Sequence, residues 1–102
     1  MGVTLPQGDL LWTLKEDIAD KQAVKEAAKN ALEALVGKID GLISLKVNIC
    51  PLSTSNTEMM LDSEFTCFDA LKGYATHPEH VAVADTYVRP FTASRACMDY
   101  EI

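Results

Sequence analysis

Apolar and polar residues change period several times along this chain, and each change marks an element. Leu10, Trp12 and Leu14 alternate with Leu11, Thr13 and Lys15, the two-residue period of a half-buried strand. Residues 1–8 carry Pro6 and Gly8 and show no period. They are expected to form a loose arm, with the domain proper spanning 9–102. From about Ile18 the period lengthens: Val24, Ala28, Ala31, Leu32, Leu35, Val36 and Ile39 recur at three- and four-residue steps, and Lys21, Lys25, Lys29 and Glu33 occupy the other side. This predicts an amphipathic helix, with Gly37 and Gly41 as stop signals. Ile43, Leu45, Val47 and Ile49 then alternate with Ser44, Lys46 and Asn48 in a second strand, ended by Pro51. A polar run over 53–57 leads into a third alternating segment, Met59 to Thr66, so these two strands are expected to form a hairpin. Thr66, three residues before Asp69, resembles a capping-box start for a second helix carrying Phe68, Leu71, Tyr74 and Ala75. Pro78 breaks that helix. A short continuation reaches about Val88, Arg89-Pro90 closes it, and Ser94 to Ile102 alternates again as a fourth strand.

The order β-α-β-β-α-β predicts an α+β, ferredoxin-like fold: an antiparallel four-stranded sheet with helices on one face and the second helix broken at Pro78. The fourth strand places Ala96, Met98, Tyr100 and Ile102 on one face and Arg95, Cys97, Asp99 and Glu101 on the other. Composition alone turns the apolar set toward the helices, but it suits a face packed on a second sheet equally well.

Composition narrows the function classes. The chain has 102 residues, 48% of them apolar, which is enough for one core. Fifteen acidic against nine basic side chains leave a charge of −6, which disfavours nucleic acid and anionic membrane surfaces as partners. No apolar run approaches the roughly 18 residues of a spanning helix, and no signal-peptide pattern opens the chain, so a cytoplasmic location is expected. Cys50, Cys67 and Cys97 are widely spaced and form no CxxC pair. They read as reduced thiols that fill gaps as small hydrophobes, not as a disulfide or zinc framework. With only two histidines as well, no metal and no cofactor is expected.

Chemistry concentrates in Tyr74-Ala75-Thr76-His77-Pro78-Glu79-His80. Histidine exchanges protons near neutral pH, and a tyrosine hydroxyl can donate to a developing oxyanion. A helix break is a sound place to aim both into a cleft. The structural alternative is a capping His77 and a partly exposed His80.

The run His77-Pro78-Glu79-His80-Val81, after Phe65, Ala70, Leu71 and Tyr74 and before Asp85, Tyr87 and Asp99-Tyr100, resembles the stress-responsive dimeric A/B barrel (Dabb) family. The stretch Ala34 to Leu42 resembles that family's turn from first helix to second strand. The resemblance implies a homodimer, a dimeric α/β barrel in which two sheets pack face to face. Ala96, Met98 and Tyr100 would then face the partner, and Cys97 and Asp99 the helices. It further implies a cleft between sheet and helices that binds a small apolar ligand, with Leu10, Trp12, Leu61, His77 and Cys97 around it. One plant branch is similar to polyketide cyclases. Carried over, His80 would be the general base, Tyr74 would polarise a carbonyl, and Asp99 would orient His80, for an intramolecular aldol-type condensation. Where that pattern has a first-strand histidine, this chain has Gly8, followed by Asp9.

Overall fold

The computed structural model describes residues 5–102. Its elements are β1 (Pro6–Leu14), α1 (Lys21–Glu33), β2 (Leu42–Asn48), β3 (Met59–Phe65), α2 (Phe68–Tyr74), α3 (Pro78–Val83), a π-helical turn (Ala84–Val88), a 3-10 turn (Arg89–Phe91) and β4 (Thr92–Glu101). The strands form one sheet in the order β2-β3-β1-β4, and every neighbouring pair is antiparallel.

The first strand begins earlier than its hydrophobic pattern. Pro6, Gln7 and Gly8, expected in a loose arm, belong to β1, with Pro6 opposite Glu101 and Gly8 opposite both Ser63 and Asp99. Proline is tolerated at the first residue of a strand, where it removes few ladder hydrogen bonds. Glycine is favoured at position 8 for space: a Cβ there would lie 3.0 Å from Ser63 Oγ and 3.1 Å from Asp99 Oδ1. Residues 1–4 of the expected arm lie outside the described residues.

The first helix is shorter than its period. Asp20 caps it by accepting from the Ala23 amide at 3.0 Å, and after Glu33 the chain tightens into turns in which Leu35 and Lys38 donate three residues back. Leu35 and Ile39 still reach the core from those turns, so their periodicity reports burial and not helix. Lys29 and Glu33 then secure the edge strand β2. Lys29 Nζ donates to the Val47 carbonyl at 2.9 Å, and the Val47 amide donates to Glu33 Oε2 at 2.9 Å, occupying backbone groups that an exposed edge would offer to another chain.

Within β2 the expected inward set was displaced at one end. The register shifts between Leu42 and Ser44, so Leu42 is buried while Ile43 is 44% exposed; Leu45 and Val47 point inward as expected. The second helix is not capped by Thr66, whose amide is held by the Gly41 carbonyl at 2.9 Å. That bond prolongs the strand geometry by one residue, and Cys67 precedes the helix without a side-chain cap. The core between sheet and helices is built from Trp12, Leu14, Ala28, Leu32, Leu35, Leu61 and Phe65 with their neighbours. Each large side chain buried there contributes about 1.5–3 kcal/mol.

Among the described residues, no helix covers the opposite face of the sheet. The β1–β4 register puts Arg95, Cys97 and Asp99 beside Trp12, Leu10 and Gly8 on the helix side, so Ala96, Met98 and Tyr100 lie on the open face with Asp9 and Leu11. The orientation suggested by composition alone is therefore reversed. Asp9 sits opposite Asp62 on this face, and Lys46 of β2 lies opposite Asp62 on its other side in the strand register. Burial, and then the hydrogen bond and charge of Asp62, push the Asp9 carboxyl up to about 6.

This has a pH consequence. Unfolded, Asp9 titrates near about 3.9, so between roughly pH 4 and 6 the folded chain holds a proton that the unfolded chain has lost. Asp9 therefore favours folding at low pH, and that contribution is lost as pH rises through about 6. Asp9→Asn is expected to raise the Tm at pH 7.5, on the order of 5 °C, with the gain vanishing below about pH 4. Thermal scans of both chains at a fixed protein concentration across pH check this; a pH-independent difference would refute it.

Candidate functional site

Between the helix side of β1, β3 and β4 and the segment from α2 to the 3-10 turn lies a cavity of about 320 Å³, at the small end of the roughly 300–1,000 Å³ of ligand pockets. Leu10 and Trp12 of β1, Leu61 and Phe65 of β3, and Leu71 and Val88 of the helical side give it an apolar body.

The polar groups come from the helix break and from β4. Proline cannot continue α2, so the chain restarts at Pro78, and His77 caps α3 by accepting the Glu79 amide on Nδ1 at 3.1 Å. This is the structural alternative for His77, which does not line the cavity. Tyr74, at the end of α2, and His80, in α3, do line it, and their rings lie 4.2 Å apart between centroids. Tyr74 also packs on Phe65 at 5.4 Å. Tyr74 is 8% exposed, and its hydroxyl is buried with no hydrogen-bond partner among the described residues. Burial pushes that hydroxyl's pKa up, so it is a neutral donor at any working pH.

His80 Nδ1 lies 3.2 Å from the Ala75 carbonyl. A carbonyl can only accept, so Nδ1 carries the proton and Nε2 keeps the lone pair. Burial, followed by the charges of Arg89 and Arg95, holds the imidazole below its usual range, although the Ala75 bond and Asp85 oppose this. At neutral pH His80 is an uncharged base.

Asp99 is placed elsewhere. Strand direction puts it beside Gly8, where it receives the Cys97 thiol at 3.7 Å, and it makes no hydrogen bond to His80 among the described residues. The expected orienting role is filled by a backbone carbonyl instead. Cys50, Cys67 and Cys97 form no disulfide among the described residues, and all three are exposed rather than gap-filling. Burial and the Asp99 charge raise the Cys97 thiol's pKa, with Arg95 opposing, which keeps it protonated. Among the described residues, no three His, Cys, Asp or Glu side chains gather as metal ligands, and no helix is long and apolar enough to cross a membrane.

Of the eight residues expected at the site, seven (Leu10, Trp12, Leu61, Tyr74, His80, Cys97 and Asp99) line this one cavity. Ser63, Arg89 and Arg95 line it too without having been expected. The alternation of β4 places Arg95 on the face of Cys97 and Asp99, and that was the available signal. Ser63 looked like an ordinary polar strand residue, but it is buried and donates to the Gly8 carbonyl at 2.8 Å.

Comparison with known proteins agrees with this architecture. No curated protein matches the chain. Among solved structures, it is similar to a dimeric protein of unknown function and ferredoxin-like fold from Bacteroides fragilis, at 34% identity over 96% of each chain with a TM-score of 0.87. It is similar in fold to a dimeric ferredoxin-like protein of unknown function from Thermobifida fusca, at 19% identity over 97% of this chain and 92% of that one, with a TM-score of 0.81. A Dabb family protein from Mesorhizobium loti, at 17% identity over 96% of each chain, gives a TM-score of 0.76. The family model of the stress responsive A/B barrel domain matches residues 10–102, nearly the whole described fold, and the chain belongs to that family.

Proposed function

We propose that the chain is a small-molecule-binding homodimer whose cavity holds an apolar ligand carrying one acceptor for Tyr74. The observation that carries this reading is the buried, unpartnered Tyr74 hydroxyl in the wall of an apolar cavity. Such a group costs about 1–3 kcal/mol when left unsatisfied, a cost a bound acceptor relieves. The homodimer is proposed to form through the open sheet face with Ala96, Met98 and Tyr100. The support is that 67% of Met98 is exposed on that face and that two similar structures are of dimeric proteins. A cytoplasmic location fits the unbonded cysteines, and the −6 charge argues against nucleic acid and anionic membranes.

A second reading, a polyketide-cyclase-like enzyme, is favoured by the tautomer of His80. Nε2 would take a proton from a carbon beside a carbonyl, the Tyr74 hydroxyl would donate a hydrogen bond to the enolate oxygen that forms, and the enolate carbon would add to a second carbonyl, whose oxygen takes the proton back from His80 as the ring closes.

Tyr74→Phe tests the first reading. It is expected to raise the free protein's stability by about 1 kcal/mol, seen as a higher Tm, while abolishing stabilisation by ligands that offer an acceptor. A lower Tm would mean that the hydroxyl serves the fold. Ring closure of a poly-β-ketoacyl thioester that is lost in His80→Gln would move the assignment to the second reading.

A further inference from the structure

The cavity is polar at two ends of opposite character. Arg95 and Asp99 project from the same side of β4, four residues apart, which at about 3.3 Å per residue separates them by roughly 13 Å. Asp99 stands beside Gly8 and Ser63, whereas Arg95 stands beside Trp12. Arg89 and Thr92 also line the cavity, and it is Arg89 and Arg95, not Asp99, whose charges reach His80. These are the only two arginines of a chain with a charge of −6. The two arginines differ in one respect. Arg89 is paired with Asp85 at 2.5 Å, while Arg95 makes no ion pair among the described residues. His80 is neutral here, so Arg95 is the uncompensated cation of this end. Between it and the acidic end lies the apolar wall of Leu10, Trp12 and Leu61.

We propose that the ligand is an amphipathic monoanion, a carboxylic acid with a compact apolar body, whose carboxylate is taken by Arg95 while its body lies along Trp12 and Leu10. The proposal rests on the ligand-binding reading and specifies its substrate class. A guanidinium suits a carboxylate because its donors form a planar fork that matches the two oxygens. The acidic end around Asp99 repels the same group, so the ligand enters in one direction. That orientation brings the part of the ligand next to its carboxylate toward His80.

Trp12, the only tryptophan, reports directly, since it lines the cavity and is buried. Octanoate and 1-octanol share a chain and differ in charge, and neither absorbs where Trp12 is excited. Titrations followed by Trp12 emission at pH 7.5 and low salt are expected to give octanoate about tenfold tighter binding than 1-octanol. Arg95→Gln, at an exposed position, is expected to erase that preference, bringing octanoate down to the affinity of 1-octanol for the same variant; Arg95→Lys restores part of it. Equal binding of both probes to the native chain, or a preference that survives Arg95→Gln, overturns the proposal while leaving the apolar pocket intact. Binding of neither probe overturns the ligand-binding reading and the proposal with it.

Discussion

Met98→Asp is expected to turn the proposed homodimer into monomers. Met98 is largely exposed in the single chain, on the open sheet face. In a two-fold dimer the substitution appears twice, once from each copy. A carboxylate buried without a partner costs several kcal/mol, and the face already carries Asp9 and Asp62, whose crowding is visible in the raised Asp9 carboxyl. The dimer should weaken by more than about 10³-fold. Sedimentation velocity at micromolar concentration reads the mass, and circular dichroism establishes that the monomer keeps its fold. An unaltered dimer would move the interface to another surface. Should the variant unfold, the native chain decides instead: association through this face makes its unfolding midpoint rise with protein concentration.

Gly41→Ala is expected to cost about 3 kcal/mol or more, and Gly37→Ala only about 1 kcal/mol. Both glycines sit in the left-handed region, at φ +86° and +93°, so both pay the backbone penalty of a side chain there. They differ in their surroundings. A Cβ at Gly41 would lie 2.4 Å from the Cβ of Ala70 in α2, whereas at Gly37 none of the described residues stands within 4 Å. The Gly41 carbonyl also holds the Thr66 amide, so the turn cannot swing away. Because α2 ends at Tyr74, Gly41→Ala should also disturb the cavity from its far side. Urea titrations of the two variants measure the gap, and equal losses would show that the close approach of the turn to α2 is without consequence.

The elements whose period matched their burial were legible in the chain: the alternation of β3, the hairpin of β2 and β3, and the break at Pro78; β4 was legible as a strand, although it is exposed along nearly its whole length. What escaped was decided by distant contacts. Pro6 and Gly8 look like loop residues until the strands on either side of them are known. The Leu42/Ser44 irregularity depends on how β2 meets β3. Leu35 and Ile39 continued a helical rhythm because turns, too, can bury residues at three- and four-residue intervals. At the site, the proximity of Tyr74 and His80 was readable because both belong to one short segment. Asp99 belongs to a strand, and only the direction in which β4 runs past β1 fixes which end of the cavity it reaches. The same direction brings Arg95 to His80's end, which residue spacing alone does not reveal.

The pairing of Pro6 with Glu101 has a consequence for biosynthesis. The strand that donates the central ladder is made early, and the strand that completes its far side is made about as late as this fold allows. Until β4 is made, β1 pairs only with β3 and its other side is an open edge, the cavity lacks its charged wall, and the apolar half of the proposed dimer face has no scaffold. Such long-range pairing slows folding and leaves edges exposed while it is awaited. While β4 is missing, that side of β1 is open to pairing with another chain. The proposed ligand binding and the proposed dimer face both use residues of β4, so neither can form before that strand is in place.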